Sequence, residues 1–376
     1  MNIGIEATKA HHIDGGFGVY PRKLIKNMLS MDNDNLYFVF ASERIEGLDE
    51  FNNCRQFLMP VSDGLVNFLR LFFTFKGIIK KYRIDILHLL SMYGIYRTPA
   101  TTISTVFDLR HLSIPELKER RFGKAIYKYV LPFLLKQSHH LISISDETKD
   151  GLIRYFKIPA DKITTIHLGH EIAFDTEISG AETGLGWNLP EKYFLWVGMI
   201  TKRKNLETLY DAFSTFLKAY SDFRLVIVGK FVNSKIEGEH KKILTSLKID
   251  DKVIFTGYAP DYELIMLYKK ASAFIYPSIY EGFGIPIIEA MALGVPVITT
   301  VDGGATREVA GNAALFFKKY DASGLSRKMA EIAWDEKLRN ELIMKSKVRA
   351  KEFSWKKTAR LTLDVYRELT STIGRR

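Results

Sequence analysis

A chain of 376 residues in which 47% of side chains are hydrophobic carries enough apolar material for two globular cores. Its single cysteine, Cys54, excludes an internal disulfide framework and suits a reducing compartment. A formal charge of +11 calls for polyanionic company such as a nucleotide diphosphate, an anionic lipid or a nucleic acid, and does not choose among them.

Glu6 near the start and the lack of an apolar signal region make secretion unexpected, and no run is long enough to span a bilayer. Asn2 to Glu6 reads as a first strand, followed by the loop GGFGVY, Gly15 to Tyr20. Gly15 and Gly16 leave room for a phosphate against backbone amides, and a helix from about Tyr20 to Leu29 adds its N-terminal dipole. A tight strand-to-helix turn explains the same glycines. The dinucleotide fingerprint requires a third glycine where this chain has Pro21, so a nicotinamide enzyme is disfavoured. Asp32-Asn33-Asp34 has the spacing of a carboxylate pair that holds a divalent ion, but it falls between that helix and the strand Leu36 to Ala41, where a polar turn is needed.

Leu65 to Tyr82 is a Phe-rich helical segment bearing Lys76, Lys80 and Lys81. It suits either packing on the first sheet or docking on an anionic membrane surface. Thr101 onward is a buried strand ending at Phe107 and Asp108. His139 and His140 precede another strand, His140 to Ile144, and the nine histidines show no metal-ligand spacing. Asp146 or Ser145 caps a helix, Asp161 to Ile166 forms a last strand, and the aperiodic stretch Glu171 to Leu189 marks the domain boundary.

The second half opens with the strand Tyr193 to Val197, Gly198, the basic loop TKRKN and a helix from Leu206. Arg203 and Lys204 on that loop can neutralise a diphosphate, although basic loops are also common on solvated surfaces. Strands Arg224 to Val228 and Val253 to Thr256 follow, then Tyr258 to Pro260. Phe274 to Thr300, FIYPSIYEGFGIPIIEAMALGVPVITT, reads as strand, glycine loop, short helix and strand, the last from Val295 to Thr300. Pro286 suits the first turn of the helix and Gly294 its end. Glu281 on the loop and Glu289 on the helix can reach separate hydroxyls of one polyol at a helix N-terminus that favours electronegative oxygens. Glu308, in DGGATREVAG, caps a further helix. An amphipathic helix spans Phe353 to Leu369.

The segment EGFGIPIIE resembles the Glu-x7-Glu signature of the retaining glycosyltransferases of family 4, which have the GT-B fold. That resemblance implies an α/β protein of two Rossmann-like, doubly wound parallel-sheet domains facing across a cleft, with the C-terminal helix crossing back onto the first domain. It implies that Glu281 meets the donor sugar, Glu289 the ribose, and the backbone of Phe283, Gly284 and Ile285 the sugar hydroxyls. It also implies that Lys204, and less directly Arg203, hold the diphosphate opposite Gly15 and Gly16, and that Gly198 and Tyr258 line the donor site near the phosphates and base. The family's Val-His-Asp-Leu pattern reads Val-Phe-Asp-Leu here, so Phe107 replaces the histidine and leaves Asp108, His111 and backbone carbonyls as candidates at the anomeric centre.

The expected domains are 1–172, joined by the helix about 355–376, and 173–354. The expected activity is retaining, metal-independent transfer of a sugar, GDP-mannose being the first donor to consider. The acceptor is a glycan or lipid-linked saccharide in cell-surface polysaccharide synthesis. No cofactor, metal or nucleic-acid partner is expected, and the place of action is cytoplasmic, with docking on the inner membrane face left open. Alternatives are a sugar-nucleotide epimerase of the same fold and a catalytically silent nucleotide-sugar-binding protein.

Overall fold

A computed structural model describes residues 1–10, 16–59, 75–90, 98–114, 131–170 and 189–373. The chain divides into two units, Met1–Gly169 with Ser354–Arg376, and His170–Phe353.

Among the described residues the first unit is built on seven parallel strands: β1 (Asn2–Glu6), β2 (Leu36–Ala41), β3 (Cys54–Leu58), β4 (Ile86–Leu89), β5 (Thr101–Val106), β6 (His140–Ser143) and β7 (Ile163–Thr165). Their order is β3-β2-β1-β4-β5-β6-β7. Every residue of β4 and β5 is buried, as expected of central parallel strands covered on both faces. Helix α1 (Gly16–Leu29) starts earlier than the sequence suggests, running across both Gly18 and Pro21. Ser145, rather than Asp146, caps α2 (Asp146–Phe156), its hydroxyl accepting from the Thr148 amide. The Asp32 carboxylate accepts from the Asp34 and Asn35 amides and from Tyr37 Oη at 2.5 Å, which is the work of a turn. The described end of the Phe-rich segment, 75–81, is helical and buries Phe75 and Ile79 in the core with Phe40 and Leu87. Its Lys76, Lys80 and Lys81 are exposed, and residues 65–74 lie outside the described set.

A buried polar chain crosses this unit. His88 on β4 is within hydrogen-bond reach of Thr105 on β5 (2.8 Å) and of the Tyr366 hydroxyl (2.6 Å), and Thr105 reaches the Tyr20 hydroxyl of α1 (3.2 Å). Burial pushes the His88 imidazole down to about 3, so it is neutral at ordinary pH. Tyr366 belongs to the C-terminal helix, Trp355–Ile373, which therefore packs on the first unit with a polar pin as well as an apolar face. A side chain at Gly169 would collide with the Trp355 backbone, so the two strands of chain can pass only with glycine there.

Among the described residues the second unit has six parallel strands: β8 (Tyr193–Val197), β9 (Arg224–Val228), β10 (Val253–Gly257), β11 (Ala273–Tyr276), β12 (Val297–Thr300) and β13 (Ala314–Phe317). Their order is β10-β9-β8-β11-β12-β13. Its core is aromatic, with Phe194 lying 5.1 Å from both Phe216 and Phe223 by ring centroids. In this order the direction of winding reverses between β8 and β11, and loops leaving the carboxyl ends of those neighbours face one crevice.

Several boundaries differ from expectation. β5 ends at Val106, so Phe107 and Asp108 lie in the following loop. β7 is only Ile163–Thr165, preceded by the single turn Ala160–Lys162. β12 starts at Val297 because Pro296 has no N–H to give the ladder, although its carbonyl accepts from Phe274. Glu308 does not cap a helix: it sits inside Thr306–Ala310, whose first turn has no side-chain cap. The stretch expected to separate the domains lies largely outside the described residues. Among the described residues no helix is long and apolar enough to cross a membrane.

Candidate functional site

β8 and β11 pair through Ala273–Phe194 and Phe274–Leu195, so the loops after them are neighbours although far apart in sequence. The loop after β8 begins at Gly198, whose φ of 146° favours glycine, and turns through the short helix Lys202–Lys204. It is tied to the loop after β11 by Ile279 N–H donating to the Arg203 carbonyl (3.0 Å) and Asn205 Nδ2 donating to the Pro277 carbonyl (3.1 Å). From the other side, the Glu281 amide donates to Gly303 and its carbonyl accepts from Ala305, both at 2.9 Å. A Cβ at Gly304 would stand 2.5 Å from the Glu281 carbonyl oxygen and one at Gly303 2.7 Å from the Ser278 carbonyl oxygen, so the two glycines let this loop close on the backbone around Glu281. The sequence pattern assigns these two glycines no role. Their adjacency after β12 was the signal.

This framework brings Arg203, Lys204 and Glu281 into direct contact. Arg203 Nη1 lies 2.6 Å and Lys204 Nζ 2.8 Å from the same oxygen, Glu281 Oε1. Lys204 and Glu281 are only 7% and 8% exposed. Arg203 also donates to the Tyr280 carbonyl (2.7 Å), and Lys204 donates to the Tyr276 hydroxyl with its ammonium 4.5 Å from that ring's centre. Burial alone would push the Glu281 carboxyl up, but the two cations hold it well below the usual carboxylate range. The cluster is ionised and carries a net positive charge from two cations and one carboxylate.

Helix α3 (Leu206–Phe216) follows the basic loop and α4 (Asp261–Lys270) follows β10. Gly284, at φ 112°, starts α5 (Ile285–Ala292), with Pro286 in its first turn. Phe283 is buried against Phe353, ring centroids 5.8 Å apart, so its ring serves the core. Glu289 is half-buried on α5. Burial, reinforced by Asp261, pushes its carboxyl up to about 7, with the Tyr268 hydroxyl beside it acting in the opposite sense. The two glutamates of the motif thus differ in kind: Glu281 is a fixed anion and Glu289 titrates near neutrality. Tyr258 stands apart, exposed at the end of β10 with Lys230 Nζ 5.8 Å from its ring centre.

In the first unit, Gly16 opens α1 and Gly15 lies outside the described residues. Phe107, in the position of the expected histidine, packs edge-on against Tyr20 (5.1 Å) and is a core residue. The Asp108 carboxylate accepts from the Arg110 amide (3.2 Å) and lies 3.8 Å from its guanidinium, while His111 accepts from Arg110 Nε (3.2 Å). Asp108 therefore shapes the start of the short helix Arg110–Ser113.

Residues 14–174 match the family model for Glycosyltransferase Family 4, and residues 182–349 match that for Glycosyl transferases group 1. The chain is 28% identical over 283 residues to O-antigen chain mannosyltransferase B of Escherichia coli, covering 71% of this chain and 70% of that one. It is 28% identical over 282 residues to the serotype-specific mannosyltransferase WbdA of the same organism, covering 72% of this chain but only 34% of that longer relative. The sucrose-phosphate synthase from Thermosynechococcus elongatus has the same fold, with a TM-score of 0.80 at 20% identity over 99% of this chain and 100% of the other. Two parallel-sheet units, a motif loop closed on its own basic partner loop, and family models that together span most of the chain lead to one conclusion: the protein belongs to the family 4, group 1 glycosyltransferases with the GT-B fold.

Proposed function

We propose that the protein transfers a sugar, with retention of configuration, from a nucleotide-diphosphate sugar to a glycan or lipid-linked saccharide acceptor in cell-surface polysaccharide synthesis. GDP-mannose is the donor to test first, because one relative matched above is described as an O-antigen chain mannosyltransferase and the other as a serotype-specific mannosyltransferase. The observation that carries the reading is the Arg203–Lys204–Glu281 cluster beside the N-terminus of α5. Two cations and a helix N-terminus offer the developing negative charge of a departing diphosphate a preorganised, water-poor setting. Glu281 orients sugar hydroxyls and Glu289 accepts from the ribose hydroxyls.

In the step proposed, the bond between sugar C1 and the phosphate oxygen breaks while the acceptor oxygen bonds to C1 on the same face. The acceptor's proton passes to the departing phosphate oxygen. No protein nucleophile is required, which accords with Phe107 being a core residue. Arg203 and Lys204 supply the positive charge a divalent ion would otherwise bring.

The test incubates the purified protein with GDP-mannose, and in parallel with UDP- and ADP-sugars, plus a mannose-terminated oligosaccharide acceptor, with and without excess EDTA. The expected product is an α-linked glycoside from an α-linked donor, formed at the same rate in EDTA. Activity restored only by manganese would refute the charge assignment. Release of an altered nucleotide sugar without acceptor would favour an epimerase, and diphosphate binding without turnover a silent binding protein.

A further inference from the structure

Tyr276 is the last residue of β11, immediately before the loop that carries Glu281, and it is buried. A phenol in such a place is costly unless its hydroxyl is bonded. Here the hydroxyl accepts from the Lys204 ammonium, which lies 4.5 Å from the centre of the same ring, and donates to the Glu281 carboxylate. The Tyr276 ring stacks on Phe274 at 5.6 Å, and its edge is 3.9 Å from where a Cβ on Gly284 would stand. One rigid side chain therefore touches the lysine of the basic loop and underlies the glycine that starts α5. Burial, reinforced by Glu281, raises the phenol well above its usual range, so it remains a neutral hydrogen-bonding group.

A lysine ammonium is a compact charge on a flexible four-carbon stem, and a neighbouring carboxylate would by itself draw that charge onto its own oxygens. Tyr276 limits this freedom with a hydroxyl that takes one N–H while Glu281 Oε1 takes another, so the ammonium is held between two fixed oxygens. We propose that Tyr276 is a positioning residue for donor cleavage: it fixes the Lys204 ammonium, relative to the N-terminus of α5, where the diphosphate's charge must be received. It acts through Lys204 and makes no contact with substrate itself. The inference rests on the donor-site reading above.

The test is a double-mutant cycle on Tyr276→Phe, which keeps the ring and its packing, and Lys204→Ala, read by calorimetric affinity for GDP and by ligand NMR affinity for guanosine, which has no phosphate. Tyr276→Phe should weaken GDP binding about tenfold and leave guanosine binding unchanged. Lys204→Ala should weaken GDP binding further, and the double variant should bind GDP no more weakly than Lys204→Ala alone, because the phenol has nothing left to position. Losses that multiply in the double variant, an unchanged GDP affinity in Tyr276→Phe, or an equal loss of guanosine affinity would each overturn the proposal, the last by showing a general effect on the fold. A parent protein that binds none of GDP, UDP and ADP would overturn the donor-site reading and this inference with it. That failure is separate, because it is seen before any variant is made.

Discussion

Glu281→Gln tests the cluster most directly. The substitution keeps the side chain's size and one acceptor oxygen, but leaves Arg203 and Lys204, which stand 2.6 and 2.8 Å from Glu281 Oε1, facing a neutral amide. Removing one partner of a buried ion pair costs about 3–5 kcal/mol. The retained amide oxygen and the Tyr280 carbonyl, which already accepts from Arg203, place the loss near the lower end. For a unit of this size that lowers the melting temperature by roughly 10 °C. Addition of a nucleoside diphosphate should reverse the trend, since the ligand brings the missing negative charge. A carboxylate about 5 Å from a phosphate charge repels it by about 3 kcal/mol at an effective dielectric near 20, and solvent screening leaves roughly half. Glu281→Gln should therefore bind GDP about tenfold more tightly than the parent while transferring sugar at least ~100-fold more slowly. The carboxyl's folded-state pKa is depressed, so its stabilising effect is present above the unfolded value of 4.5 and disappears as pH falls below it; the melting difference between parent and variant should shrink below that pH. Calorimetric titration with GDP and melting scans across pH read all of this. Equal or weaker GDP binding by the variant would refute the picture of a carboxylate competing with phosphate for the two cations.

The remaining expectations concern titration. Because Glu289 is raised to about 7, stability is lost as pH climbs from 4.5 through 7, and Glu289→Gln should be more stable than the parent at pH 8 by about 1–2 kcal/mol after discounting for its partial exposure. Guanosine affinity of the parent should rise through pH 7 as the carboxylate forms, and the profile of Glu289→Gln should be flat; identical profiles would remove Glu289 from the ribose. His88 has the opposite sign to Glu289: its imidazole is depressed to about 3, so the stability it supports is complete above pH 6.5 and is lost as pH falls toward 3, up to about 4 kcal/mol. Chemical denaturation of the parent and of His88→Gln should show a steeper acid loss in the parent, and parallel curves would mean the imidazole is not held neutral.

The parts of this protein that are written in consecutive residues are legible in the chain alone. The strands β1, β2, β8 and β9 are short apolar runs closed by turn residues. The glycine loop, Pro286 and Gly294 around Glu281 and Glu289 mark a strand, an anion-favouring helix start and a helix end within one stretch. Edge strand β3, Cys54–Leu58, escaped because its residues are only partly buried and carry no continuous apolar run, and β4 because it is four residues long with a histidine inside it. Which of these pieces meet is settled by packing across the sheets. Hydrophobic periodicity fixes that a strand is buried but says nothing about its neighbour in the sheet. The order β9-β8-β11-β12 sets Lys204 beside Glu281 and Tyr276, and lets Gly303 close on the Glu281 backbone. The same limit applied in the first unit, where the Phe107 position read as a gap in a catalytic pattern. Packing against Tyr20 makes it part of the core, since the burial of an aromatic ring is settled by what folds over it and not by the residues on either side.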